Sequence, residues 1–415
     1  MIDSVTGIAS ESQKSSPVLA FHRYVVFVIG GLAIYVAFAV SVNVFVDPWE
    51  LYGPLRTKVS PKGVNFERVT LAHDIRLSEK FDVLLLGSSR IRYLIDRGGA
   101  RLVDPQKTAT FWGEGRVFNA ALAGANMHQM RRVFEHALHY HPVRELVFLL
   151  DDVMLNSNRP LANGWYEYNY FGSPDYQSPL ERALSLADAA MLEASVRILL
   201  ANHVMTAPVS GDTSSVSPEL SGAQWEQGIA EFDRRDLYGC FQIGPNPRDE
   251  FDRILVLAKQ NHVKVTLLTS LIHPSLFEYF YRSDEGEGVR VFLSVIRDAA
   301  LRHAVPAWYF SPFSPVTRGA PRVSYMRSEF YESPDYFDPG HANHLIGIKL
   351  LDRAIRGIEQ SDLNAYRLDQ QPAEEVFDSI SAERRLRIQE EKLPFTEFLE
   401  SHRLVAGQAC SGRRR

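Results

Sequence analysis

Two short stretches hold residues whose types and spacing could carry out acyl chemistry. The first is Gly87-Ser88-Ser89-Arg90, which follows the apolar run Asp82–Gly87 (DVLLLG). A serine at a strand-to-helix turn can act as a nucleophile if a base lies near it, although an N-capping serine favours the same turn. The second is Asp338-Pro339-Gly340-His341-Ala342-Asn343-His344, just before the last stretch of helical pattern in the body of the chain. An Asp three residues ahead of a His can orient the imidazole, hold its tautomer and stabilise the imidazolium that forms as a serine loses its proton. Taken singly, Asp338 also reads as a helix cap and His341 as a surface residue. His344 is a rival base, but no Asp stands three residues ahead of it. Three other glycine-dependent motifs are excluded. The G-x-S-x-G elbow needs glycine where Ile91 stands, and neither a G-x-G-x-x-G fingerprint nor a G-K-[ST] P-loop follows the first strand.

The elements that must position these residues alternate in type. The apolar runs Asp82–Gly87, Val117–Ala121, Glu145–Leu150, Val263–Thr269 and Val305–Ser311 have the near-continuous character of strands buried on both faces. Helical patterns fall at about 127–141, 180–203, 247–260, 286–304 and 343–357. Alternating strand and helix predicts an α/β fold: a doubly wound, flavodoxin-like parallel sheet of about five strands with helices on both faces. In such sheets ligands bind beyond the carboxyl ends of the strands. That rule brings in Arg90, Asp151 and His273 as residues at the ligand edge, together with His344. The aromatic segment around Trp165, Tyr166, Tyr168, Tyr170, Phe171 and Tyr176 reads as local packing or as a sugar-stacking surface, and 205–222 reads as a surface loop.

The serine after the first strand and D-x-x-H before the last helix together resemble the SGNH/GDSL hydrolase superfamily, over roughly residues 80–357. The stretch Asn119 to Gly124 fits the glycine block that follows the second strand in that pattern. The resemblance implies Ser89 as nucleophile, His341 as general base and acid, and Asp338 as its orienter, with the backbone N–H groups of Ser89 and Gly124 facing an oxyanion. It implies no cofactor and no metal. The sequence departs from the pattern twice. Ser88 replaces the Asp of G-D-S, and Asp151-Asp152 stands where the third block offers an Asn. A carboxylate repels an oxyanion, and losing one donor costs about 3–4 kcal/mol in the transition state. Asn126 or Asn156 could supply the missing donor.

Composition and charge set the remaining bounds. A chain of 415 residues with 45% apolar residues can bury a sizeable core. A net charge of −5 gives no general reason to bind nucleic acid. The two cysteines, Cys240 and Cys410, have no neighbours at metal-ligand spacing. Tyr24–Val46 runs 23 residues without a charged side chain, and at ~1.5 Å per residue it is long enough to cross a ~30 Å hydrocarbon core. It reads as an uncleaved signal anchor, the alternative being a signal peptide cut near Ala37-x-Ala39. Lys14 and Arg23 precede the span while Arg56, Lys58 and Lys62 follow it, so charge does not orient it. By analogy with what the body resembles, the expectation is a single-pass protein of the inner (plasma) membrane with its body in the periplasm or cell exterior. The expected divisions are a disordered segment at 1–23, the span at 24–46, a connector at 47–79, the α/β domain at 80–357 with an insertion at about 157–245, and a charged tail at 358–415 with a helix over Ala373–Lys392. The expected activity is that of an esterase or O-acyltransferase acting on an acylated or acyl-accepting glycan, with a polytopic acyl exporter as a partner in the transferase case. The rival is a tethered glycan-binding or assembly protein that keeps the fold without the catalysis.

Overall fold

The computed structural model describes residues 17–46, 67–92, 94–95, 100–158, 192, 195–196, 241–283, 285–319, 336–338, 341–342 and 344–391. The chain divides into two units, one of residues 1–64 and 177–209, the other of 65–176 and 210–415. In the first unit α1 (Pro17–Val46) is a single helix, within which Phe21–Asn43 has a mean hydropathy of 2.6. Its large apolar side chains are exposed, Phe27 at 83%, and the helix is long and apolar enough to cross a membrane. Near its end Asn43 is fully buried and accepts a hydrogen bond from Ser195 Oγ at 2.8 Å.

The second unit is an α/β body. The five apolar runs form β1 (Val83–Gly87), β2 (Val117–Ala121), β3 (Glu145–Leu150), β4 (Lys264–Thr269) and β5 (Ala307–Phe310). They lie in the order β2-β1-β3-β4-β5 and are parallel throughout. Every residue of β1, β2 and β5 is buried, as expected of strands covered on both faces. Before and between the strands lie α2 (Glu67–Leu77), α3 (Pro105–Trp112), α4 (Met127–Tyr140), α5 (Asp152–Leu155), α6 (Pro245–Gln260), α7 (Pro274–Ser283) and α8 (Glu287–His303). The expected helix at 180–203 lies almost wholly outside the described residues. So do the 1–16 segment, the aromatic stretch at 165–176, the loop at 205–222 and both cysteines.

The D-x-x-H segment folds as an antiparallel pair, β6 (Tyr336–Asp338) with β7 (His341–Ala342), in which Asp338 and His341 are register partners. Helix α9 (His344–Ile355) follows it directly. Of the charged stretch after 357, the described part, residues 358–391, belongs to the body. There β8 (Ala365–Arg367) adds a sixth, antiparallel strand to the edge at β5, pairing Tyr309 with Tyr366. Helix α10 (Ala373–Glu391) packs against α8 through buried Val376, Phe377 and Ile380. Its charges meet partners instead of dissolving the segment. The Arg367 guanidinium lies 4.9 Å over the Trp308 ring and donates to Asp369 at 2.8 Å.

Candidate functional site

Parallel strands in the order 2-1-3 reverse direction of progression between β1 and β3, and the crevice at that switch is where ligands of such folds sit. The turn after β1 is built for close packing there. A Cβ on Gly87 would lie 2.9 Å from the Leu149 carbonyl oxygen of β3 and 3.2 Å from Ile91 Cβ, so only glycine lets the chain fold back this tightly. Ser88 then caps a 3-10 turn, Ser89–Ile91, its Oγ accepting from Arg90 N at 3.2 Å. Ser89 opens the turn and is partly exposed, while Ser88 and Arg90 on either side are buried. Beside it, Leu122 N donates to Gly87 O at 3.0 Å, tying the end of β2 to the end of β1. The chain then turns through Gly124 at φ +62°, which glycine adopts without strain.

The carboxylates after β3 face inward. Asp151 is fully buried and Asp152 is 6% exposed. Asp151 precedes α5 but its side chain does not cap that helix. Instead Asp151 Oδ2 accepts the hydroxyl proton of Ser88. Arg90, 6% exposed, lies between the two acids. Its Nη1 donates to Asp152 Oδ1 and to Ser270 Oγ, each at 3.1 Å. It also stands 3.4 Å from Asp151 Oδ1, a charge contact without hydrogen-bond geometry. Burial raises the pKa of Asp152, Arg90 opposes that shift and Asp151 reinforces it. Asp152 and Ser270 also line a cavity of about 20 Å³ with Leu150, Phe277, Phe292 and Tyr309, room for about one water. Ser270 is a member of the cluster that the sequence reading does not single out. Its signal is a polar residue directly after a strand, at the edge where ligands bind.

The D-x-x-H segment comes to the same edge. Residues of β7 have Cα atoms within 8 Å of residues in the Ser89–Ile91 turn, which puts the His341 backbone strand beside the serine turn. The docking is tight, since a Cβ on Gly347 of α9 would fall 1.9 Å from the Leu94 carbonyl oxygen. The side chains of Asp338 and His341 lie outside the described residues. His344 opens α9, and its Nδ1 is buried with no hydrogen-bond partner among the described residues. His273 precedes α7, its carbonyl accepting from Leu276 N at 3.0 Å. Desolvation of its imidazole, with a smaller contribution from the Arg387 guanidinium, lowers its pKa to about 3. An imidazole held neutral to that degree is a weak proton acceptor.

The two asparagines considered as oxyanion donors have local duties. The Asn126 side-chain oxygen accepts from Gln129 N at 2.9 Å in a capping box at the start of α4. The Asn156 side-chain oxygen accepts from Asn158 N at 3.0 Å and from Gln242 N at 3.3 Å, closing the chain after α5. Arg90 and Asp151, expected at the ligand edge, lie beneath the serine turn, inside the protein. Among the described residues no group of three or more His, Cys, Asp or Glu side chains could hold a metal ion.

No family model matches the sequence. No curated protein matches it either. Among solved structures, the chain is similar to a protein of Bacteroides fragilis NCTC 9343 described as a "putative acylhydrolase", with 12% identity, 72% of this chain and 97% of that chain covered, and a TM-score of 0.34. A likeness of that degree carries no functional argument, and the residues themselves must supply it.

Proposed function

We propose that this chain is a membrane-anchored serine acyl-ester enzyme, an esterase or O-acyltransferase of envelope glycans. The observation that carries the reading is the placing of Ser89. It opens the turn at the carboxyl end of β1, on the switch-point crevice, with the β7 strand of His341 within 8 Å of that turn. In the first half-reaction Ser89 Oγ attacks the acyl carbonyl carbon while His341 takes the hydroxyl proton. The carbonyl oxygen becomes an oxyanion facing the N–H groups of Ser89 and Gly124. The C–O bond to the alcohol then breaks, and His341 returns the proton to the departing oxygen. In the second half-reaction water or a sugar hydroxyl attacks the acyl-serine with His341 again as base. Ser89 is released, with a free acid in one case and a new ester in the other. Hydrolase and transferase differ only in the acceptor. The acids that replace the third-block Asn do not count against this chemistry, since their charge is turned on Arg90.

The test is covalent capture. Full-length protein in detergent should label at Ser89 with a fluorophosphonate and hydrolyse an aryl acetate, and Ser89→Ala should do neither. A folded wild type that does not label defeats the reading. A second reading, a tethered glycan-binding protein, is favoured by the buried acids Asp151 and Asp152, which offer no donor where the third block of the pattern has an Asn. It predicts glycan binding that survives Ser89→Ala unchanged.

A further inference from the structure

We infer that Ser88 and Asp151 are a coupled pair that, with Arg90, locks the turn presenting Ser89, and that Asp151 is a positioning residue with no contact to substrate. The inference rests on the serine-enzyme reading only for what the turn presents. A serine hydroxyl has one proton to give, and Ser88 gives it to Asp151 Oδ2. That fixes the hydroxyl rotor and leaves an oxygen lone pair to receive Arg90 N at 3.2 Å. An anionic acceptor polarises the hydroxyl and strengthens the bond it receives in turn. Arg90 is thus held at both ends, its amide by Ser88 and its guanidinium by Asp152 and Ser270. Ser89 lies between two pinned residues, so the backbone that carries its side chain and its N–H is set from beneath. Asp151 is fully buried, which leaves it no face toward the crevice.

The two positions at which the sequence departs from the SGNH/GDSL pattern are thereby in direct contact, although 63 residues separate them. The carboxylate expected at position 88 stands at position 151 on the other side of one hydrogen bond. Transferring it back should work as a pair and fail singly. Ser88→Asp alone sets two carboxylates against each other in a dry site. Asp151→Asn alone takes from Arg90 one of its two anions. In Ser88→Asp/Asp151→Asn the introduced amide donates to the introduced carboxylate, which still caps Arg90 N and keeps a second anion beside the guanidinium.

The experiment compares the full-length wild type, the two single variants, the double variant and the milder Ser88→Ala. Amide hydrogen exchange is measured over residues 87–92, and fluorophosphonate labelling at Ser89. Each single variant should raise exchange and slow labelling by about tenfold, and the double variant should recover both to within about threefold of wild type. Should Ser88→Asp fail to fold, Ser88→Ala carries the same expectation without an added charge. Unchanged exchange in Ser88→Ala and Asp151→Asn, or no recovery in a folded double variant, overturns the inference. So does recovered exchange with labelling still lost, which would give Asp151 a direct part in the chemistry. The expected exchange pattern with a wild type that never labels leaves the coupled pair standing and removes the acyl-enzyme reading alone.

Discussion

Arg90 shows how one side chain can serve both a fold and a site. A guanidinium at 6% exposure is made tolerable by the two carboxylates and the hydroxyl that face it. Removing it leaves Asp151 and Asp152 buried beside each other, and breaking a buried ion pair in this way costs about 3–5 kcal/mol. Arg90→Met should therefore lower the unfolding free energy by an amount of that order, read as a fall in the denaturant midpoint with no change of slope if folding stays two-state. A midpoint within experimental error of wild type would mean that the acids are neutral without it. The three proposed reacting residues have a different signature. Ser89→Ala and His341→Ala should each abolish aryl acetate turnover, and Asp338→Asn should be severe because an amide cannot stabilise imidazolium. Groups acting as one unit lose activity non-additively, so the triple variant should be little worse than Ser89→Ala. His344→Ala should be milder than any of these. Losses that multiply across the three positions would show that they act separately.

Between elements, the decisive contact is α9 on the loop beyond the serine turn. Gly347→Ala forces a methyl onto the Leu94 carbonyl, and relief requires α9 to move and to take β7 with it. Overpacking of this kind costs about 1–3 kcal/mol. Ser89 labelling should fall more than the melting temperature suggests, and labelling that simply tracks stability would deny α9 a positioning role. A second inter-element prediction concerns pH. His136 on α4 is buried with Nε2 2.9 Å from the Ala72 carbonyl of α2, and desolvation lowers its pKa from 6.5 to about 4. The folded state holds it neutral where the unfolded chain would take a proton. Its contribution is therefore complete above pH 6.5 and is lost as pH falls toward 4. His136→Gln keeps a donor for Ala72 without the titration, so it should flatten the fall in melting temperature across that window. An unchanged slope assigns the fall to other groups. Strands β1–β5 were legible in the sequence because strands covered on both faces are written as unbroken apolar runs. The Ser89 turn was legible because its glycine and serines follow such a run. The Ser88–Asp151 bond was not, since a contact over 63 residues leaves no local trace. Nor was β8, whose three half-buried residues, Ala365–Arg367, have no apolar run and take their strand form from pairing with β5.

For the whole molecule the open question is what α1 does once it is made. Ala37 and Ala39, between which and the body a signal peptidase would have to cut, lie inside α1. Farther along the helix, buried Asn43 is engaged by Ser195. A polar residue at the end of an apolar helix is better placed when a partner satisfies it, and that partner belongs to the same compact unit. The membrane anchor proposed above requires that the helix stay attached. The purified protein should therefore retain residues 1–46 by intact mass, resist extraction by alkaline carbonate and be released by detergent. Basic residues on both sides of the span leave orientation to experiment. Because β8 and α10 belong to the body, a topology reporter must follow Arg415 instead of interrupting the fold at 357. A reporter that works only in the cytoplasm should be silent there, and one that works only outside should be active. An active cytoplasmic reporter would reverse the orientation and take the envelope glycan away from the enzyme. A mature protein beginning just after Ala39 would replace the anchor with a cleaved signal, while leaving the serine turn and its buried support as they are.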